Sequence, residues 1–310
     1  MRLVYFGSGV FGLPTLHRLA DAHEVLLVVT QPDRPAGRKR RLTPTPIAEL
    51  AADRGIPTIK PESPNEPAAI ADIHGRGAEA FVVIAYAHKL GPDLIGDTFA
   101  LNLHASLLPK YRGAAPINWA MINGERQTGL SIITLAQTMD AGSILAQRAT
   151  NIDPMETAGE LHDRLAELGP DLVLETLDRY RAGTLRPQRQ DDAAATRAPR
   201  LSKADGTVSF DRPAEAVRCR VHGLTPWPGC TVMLDDAPLR LLRVEQVDTV
   251  AGASESPGVV RDDLTIACNP GAVRLLSVQP PGGKSMTFQA YCNGHDVSPG
   301  TKMRPMPAEQ

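Results

Sequence analysis

At 310 residues, with 42% hydrophobic and 22% charged side chains, the chain has the composition of a folded globular protein and the length of two domains. Its 33 Lys and Arg against 35 Asp and Glu leave a formal charge of −2, which excludes bulk attraction to nucleic acid, so any such contact must come from a local basic patch. No apolar run approaches the ~20 residues that span a bilayer, and "MRLVYFGSG" has no signal-peptide architecture, so a cytoplasmic protein without membrane contact is expected.

The first half alternates short apolar runs with helical patterns. "RLVYFG" predicts a buried strand, "VFGLPTLHRLADA" a helix, "EVLLVVT" a second strand and "IPTIKP" a third. "AEAFVVIAY", "ALNLHA" and "TGLSIITLA" follow as further strands. Strands separated by helices need crossover connections, which predicts an α/β domain with a mostly parallel sheet. Gly7, Gly9 and Gly12 of "FGSGVFG" match G-x-G-x-x-G between the first strand and its helix. Such a turn can present backbone N–H groups to a phosphate. The acid that should follow for a dinucleotide is only Asp33, set in a proline-rich basic loop, so a plain strand-to-helix turn is the favoured reading of the glycines. That loop, "PDRPAGRKRRLTPTP", carries Arg34, Arg38, Lys39, Arg40 and Arg41, and its prolines exclude a helix. An exposed basic loop would attract a polyanion; a solvated charge run is the alternative.

In "ALNLHA" side chains alternate, so Leu101 and Leu103 face one way and Asn102 and His104 the other. A buried parallel strand should be apolar on both faces. Two polar groups just before the strand ends stand where open α/β sheets hold ligands, and an amide with an imidazole can stabilise an oxygen that gains charge. The next strand leads to "MDAG", where Gly142 permits a bend that places Asp140 at the same end of the sheet. The trio suggests acyl-group chemistry without metal or covalent nucleophile; Ser106 lacks the G-x-S-x-G surroundings of a nucleophile.

From 154 to 182, apolar residues at helical spacing from Met155 to Leu177 predict one or two helices ended by Gly183. "TLRPQRQDDAAATRAPRLSKADG" lacks an apolar period and reads as an interdomain linker. Beyond it, "GTVSF", "CTVML", "LRLLRVEQV", "GVVRD", "LTIAC" and "AVRLLSVQP" predict short strands of a small barrel or sandwich, with Trp227 in its core. Cys219, Cys230, Cys268 and Cys292 show no metal-ligand spacing, so free thiols and no metal are expected.

Nearly end to end, the motifs "FGSGVFGLPTL", "VVTQPDRPAGR", "VVIAYAHKL", "NLHASLLPKYRGAAPI", "GLSIITLAQTMDAG", "RLSKADGTVSF", "LTPWPG" and "LLSVQPPGGKSM" resemble the methionyl-tRNA formyltransferase family. The resemblance implies a Rossmann-like formyltransferase domain (1–185), an interdomain linker (186–203) and an OB-like C-terminal β-barrel domain (204–310) that binds tRNA. It implies formyl transfer from 10-formyltetrahydrofolate to the α-amine of methionyl-initiator tRNA, by a monomer. Asn102 and His104 would stabilise the oxyanion, and Asp140 would orient His104 and help remove the amine proton. Ser106, Leu107, Leu108 and Pro109 would line the folate site, with the pterin near the "IAYAHKL" strand end. Arg34, Arg38, Lys39, Arg40, Arg41 and Lys203 would contact the tRNA. Ala87 and His88 depart from the Gly and apolar residue of many relatives. Three rivals are a formyltransferase for a small amine, which leaves the basic loop and β domain idle, a nicotinamide-dependent oxidoreductase, which leaves Asn102, His104 and Asp140 without roles, and a nucleic-acid-binding protein with a vestigial α/β domain, against which the intact trio argues.

Overall fold

The computed structural model describes residues 1–37, 40–247 and 255–306. In chain order its first elements are β1 (Arg2–Gly7), α1 (Leu13–Ala22), β2 (Glu24–Val29), β3 (Arg34–Ala36), β4 (Arg41–Thr43) and α2 (Pro46–Asp53). Next come β5 (Thr58–Ile59), α3 (Pro67–Gly75), β6 (Ala80–Ile84), α4 (Pro92–Ile95), β7 (Phe99–His104) and α5 (Pro116–Ile122). β8 (Gln127–Thr134), β9 (Ile144–Asn151) and α6 (Ala158–Arg181) complete this part. Seven strands form one sheet in the order β5-β2-β1-β6-β7-β8-β9. The pairs β1–β2, β1–β6, β2–β5 and β6–β7 are parallel and β7–β8 is antiparallel, so the sheet is mostly parallel as expected. β1 and β6 are buried because both faces of a parallel sheet are covered: Leu3 to Phe6 have no exposed surface.

The glycine-rich turn after β1 is filled from within. A Cβ at Gly12 would lie 2.0 Å from the Tyr5 hydroxyl oxygen, and one at Gly7 would lie 2.6 Å from the Tyr5 ring. The Tyr5 hydroxyl donates to Gly12 O at 3.1 Å. These two glycines make room for a phenol. Asp33, the acid a dinucleotide reading would need, is paired with Lys60 at 2.5 Å.

α6 is a single helix of 24 residues with Pro170 inside it. It starts after Met155. The proline follows Gly169, whose Cβ would stand 2.9 Å from Leu103 Cδ2, so the helix lies close to β7 where its hydrogen-bond ladder is interrupted.

Two compact units divide the chain: 1–112, 129–149 and 162–197 in the first, 113–128, 150–161 and 198–310 in the second. The second adds α7 (Ala214–Gly223), β10 (Cys230–Leu234), β11 (Ala237–Val247), β12 (Thr265–Ala267), β13 (Ala272–Gln279), α8 (Phe288–Gly294) and β14 (Met303–Pro305). Its five strands run β12-β13-β11-β10-β14 with antiparallel pairing. Register shifts at Leu241, Arg243 and Val244 bend β11, as bulges do, and the sheet curls into an OB-like half-barrel. Its core holds Val217, Val221, Leu239, Leu241, Val273 and Phe288 among others.

Three expectations fail here. "GTVSF" is not a strand: Ser202 and Asp205 form a capping box that starts a short 3-10 turn over Lys203–Gly206, and Val208 and Phe210 reach the core from irregular chain. "GVVRD" contributes only isolated bridges at Val259 and Val260. Trp227 is 52% exposed, not core. Its turn is tied back by Arg240, which donates to the carbonyls of Pro226 and Pro228, so the ring is held outward. Among the described residues no helix is long and apolar enough to cross a membrane.

Candidate active site

β7 lies between β6 and β8, with Val83 opposite Asn102 and Ser131 opposite His104. Leu101 and Leu103 are buried at 0% and 4% exposure, as the alternation requires. Asn102 is half-buried and His104, the last residue of the strand, is 6% exposed. The two polar side chains therefore stand on one face at the carboxyl end of a central strand.

The imidazole is held from one side by the chain that follows it. His104 Nε2 is 2.9 Å from Tyr111 O, and because a carbonyl only accepts, Nε2 carries the hydrogen. That leaves Nδ1 on the opposite edge, 3.6 Å from Asp140 Oδ1. This exceeds hydrogen-bond length; a proton on Nδ1 makes it an ion pair, and such contacts tighten when substrate fills a site. Asp140 adopts φ +56°, a left-handed conformation that Asp tolerates better than most residues. Gly142, two positions on, has Thr134 O only 1.7 Å from where a Cβ would be, so the turn passes too close to β8 for any side chain. The Asn102, His104 and Asp140 trio expected from sequence is thus gathered in the first unit.

Residues 106–110 close the turn beyond β7. Ser106 has no exposed surface, and its hydroxyl donates to Lys110 O at 2.6 Å. A side chain so committed does not serve as a nucleophile. Ser131 Oγ donates to Ser106 O (2.7 Å) and accepts from Leu108 N (3.0 Å), and Gln147 Nε2 donates to Leu108 O (2.9 Å). Leu108 packs with Ile133 and Ile144, while Leu107 and Pro109 are half-buried.

Residues that sequence reasoning missed complete the site. Gln190, 5% exposed, donates from Nε2 to both Asp140 O and Gly142 O, each at 2.7 Å. It lies in the stretch expected as a linker, yet 186–197 belongs with the first unit. No periodic pattern marks it; only a glutamine between charged residues does. At the end of β6, the neighbouring strand, Tyr86 Oη and His88 Nε2 are buried without a hydrogen-bond partner among the described residues. Their rings are 5.6 Å apart. Burial raises the Tyr86 hydroxyl to about 12, so it remains protonated and able to donate.

The basic segment is a β3–β4 hairpin rather than an irregular loop. Arg34, Arg40 and Arg41 are exposed on it; Arg38 and Lys39 lie outside the described residues. Lys203 is exposed in the second unit. No group of three or more His, Cys, Asp or Glu among the described residues is arranged to hold a metal.

Residues 1–177 match the formyl transferase family model and 200–296 the formyl transferase C-terminal domain. A methionyl-tRNA formyltransferase of Heliobacterium modesticaldum is 42% identical over 97% of this chain and 99% of its own length. That of Citrifermentans bemidjiense is 40% identical over 97% and 95%. Among solved structures, HypX from Aquifex aeolicus in complex with tetrahydrofolic acid superposes with a TM-score of 0.64 at 16% identity, over 94% of this chain and 47% of that one. WlaRD, a sugar 3N-formyl transferase, gives 0.66 at 13% identity, over 88% and 96%.

Proposed function

The chain belongs to the formyl transferase family, and on that premise we propose how its residues carry out the reaction. It transfers a formyl group from 10-formyltetrahydrofolate to the α-amino group of methionyl-initiator tRNA. The folate supplies an activated formyl carbon, which the amine attacks and which then parts from the folate nitrogen. Asn102 donates to the formyl oxygen as charge gathers on it, and His104 adds a positive charge beside it when Nδ1 takes a proton next to Asp140; a preorganised donor of this kind is worth about 10²–10³ in kcat. Asp140 holds the imidazole and helps remove the amine proton, which passes to the departing nitrogen. A free α-amine titrates near ~8, so this removal is nearly isoenergetic at neutral pH. The observation that carries the account is the 3.6 Å approach of His104 Nδ1 to Asp140 on the face that Asn102 shares.

The two orphaned polar atoms of Tyr86 and His88 fit a hydrogen-bonding heterocycle, which supports seating the pterin at that rim. Ser106 to Pro109 shape the adjoining wall, Ser106 and Leu108 from beneath and Leu107 and Pro109 at the surface. The exposed cations Arg34, Arg40 and Arg41, with Arg38 and Lys39 of the same segment and Lys203 of the second unit, draw in the tRNA. Residues 1–185, together with the 186–197 stretch that carries Gln190, act as the catalytic portion, and 204–310 act as the tRNA-binding portion. The enzyme works in the cytoplasm as a monomer. The test is incubation with 10-formyltetrahydrofolate and methionine-charged initiator or elongator tRNA. Formylation of the initiator species is expected; formylation of neither would end the assignment.

A further inference from the structure

The segment 188–197 hydrogen-bonds to both stretches of chain that stand behind the His104–Asp140 pair. Gln188 and Ile144 exchange two backbone hydrogen bonds of 2.8 Å, just past the Asp140 turn. On the His104 side, Tyr111 N donates to Thr196 Oγ1 at 2.9 Å and Arg112 N to Thr196 O at 2.9 Å. Tyr111 is the residue whose carbonyl holds His104 Nε2. Gln190 joins the two sides through one amide. Its Oε1 accepts from Arg112 Nε (3.0 Å) and Nη2 (2.8 Å), while its Nε2 donates to Asp140 O and Gly142 O. Arg112 is itself anchored on Asp192 at 2.8 Å. The amide's orientation is forced, because a guanidinium only donates and a carbonyl only accepts.

We propose that Gln190 is a positioning residue for formyl transfer, acting on Asp140 through the backbone. This rests on the roles given above to His104 and Asp140. A left-handed Asp persists only where its surroundings over-determine it. Two carbonyls of one turn, at 140 and 142, converging on a single rigid –NH2 group supply that constraint. Without it the turn relaxes toward right-handed backbone and carries the carboxylate away from His104 Nδ1. Displacements of about 1 Å at reacting groups cost on the order of a hundredfold in rate.

The test is Gln190→Glu in the full-length enzyme, which keeps the side-chain size and the Arg112 contact but turns an oxygen on the two carbonyls. In steady-state formylation of methionyl-initiator tRNA, kcat should fall by about tenfold to a hundredfold while KM for both substrates stays within about twofold. The pH dependence of kcat should change too, since the pair that handles the proton is separated; a residue needed only for folding would lower the melting temperature and leave that profile alone. A folded variant with wild-type kcat, or one whose whole loss lies in KM, would overturn the proposal. If Gln190→Glu does not fold, Arg112→Lys decides. It keeps a charge for Asp192 but lacks the two-pronged grip on the amide, so kcat should drop at constant KM, and an unchanged kcat overturns the proposal. Wild-type enzyme assayed alongside separates the two ideas: its inactivity would remove the functional reading itself.

Discussion

His104 is fixed by its Nε2 contact with Tyr111 and left with one edge for chemistry, so it is the side chain whose loss should separate catalysis from binding. His104→Ala is expected to lower kcat by about 10²–10³, the usual range for a group that stabilises an oxyanion, with tRNA affinity changed less than about twofold by filter binding. A comparable loss of affinity would make His104 a recognition residue. A second histidine, His222, does the opposite job. It is 1% exposed, with Nδ1 3.1 Å from Pro154 O and Nε2 accepting from Val244 N at 3.0 Å, so only the neutral form fits. Burial, reinforced by the nearby Arg218 charge, lowers its pKa to about 4. Between pH ~6.5 and ~4 the unfolded chain takes up a proton that the native one refuses, so stability falls as pH falls across that window, by about 3 kcal/mol. Denaturant midpoints measured from pH 7 to 4 should decline less steeply in His222→Gln; parallel curves would refute the assignment. Asn102, His104 and Asp140 were legible because polar residues break an alternating apolar strand and a glycine marks a bend. Gln190, Tyr86 and His88 were not, since burial and missing partners are tertiary facts that leave no local pattern.

The β3–β4 hairpin carries three exposed cations, Arg34, Arg40 and Arg41. Expected as an irregular loop because of its prolines, it pairs all the same: Pro35 lies opposite Leu42 in a two-stranded ribbon whose edges can dispense with its N–H. Asp33 is held by Lys60, so the nearest carboxylate already has a partner of its own. Neutralising Arg34 and Arg38 to Arg41 together should raise KM for tRNA and leave kcat at saturation intact. The slope of log affinity against log salt should flatten by about 0.9 for each phosphate that is no longer neutralised. An unchanged slope would make these side chains ordinary solvated surface. The same scale shows where sequence reading ran short in the second unit. α7 buries Ala214, Val217 and Val221, but Arg218 and Arg220 interrupt the run, so its helical period was easy to miss. The capping box at Ser202 and Asp205 outweighed the strand-like composition of "GTVSF".

At the scale of the molecule, the boundary between the units is not one cut. The first unit takes in 129–149 and 162–197, and the second 113–128 and 150–161. Composition placed a linker at 186–203 because the stretch has no apolar period. Its buried side chains, Gln190, Ala198 and Leu201, are too few and too irregularly spaced to give one, and hydrogen bonds through Gln188, Gln190 and Thr196 hold it as well. A chain truncated after residue 185 should therefore melt several degrees below one truncated after 199, at roughly 2–8 °C per kcal/mol of stability removed. Equal melting temperatures by circular dichroism would show that those hydrogen bonds stabilise nothing.

The Tyr5 phenol nested in the first glycine turn has a bearing on how such chains are recognised. A signature usually credited to phosphate capture is spent here on seating an aromatic ring from the preceding strand, with its hydroxyl docked on the loop's own carbonyl. The fingerprint records a shape that the polypeptide completes by itself. Scanning genomes for nucleotide users on that signature alone would gather this chain for a reason rooted in interior packing.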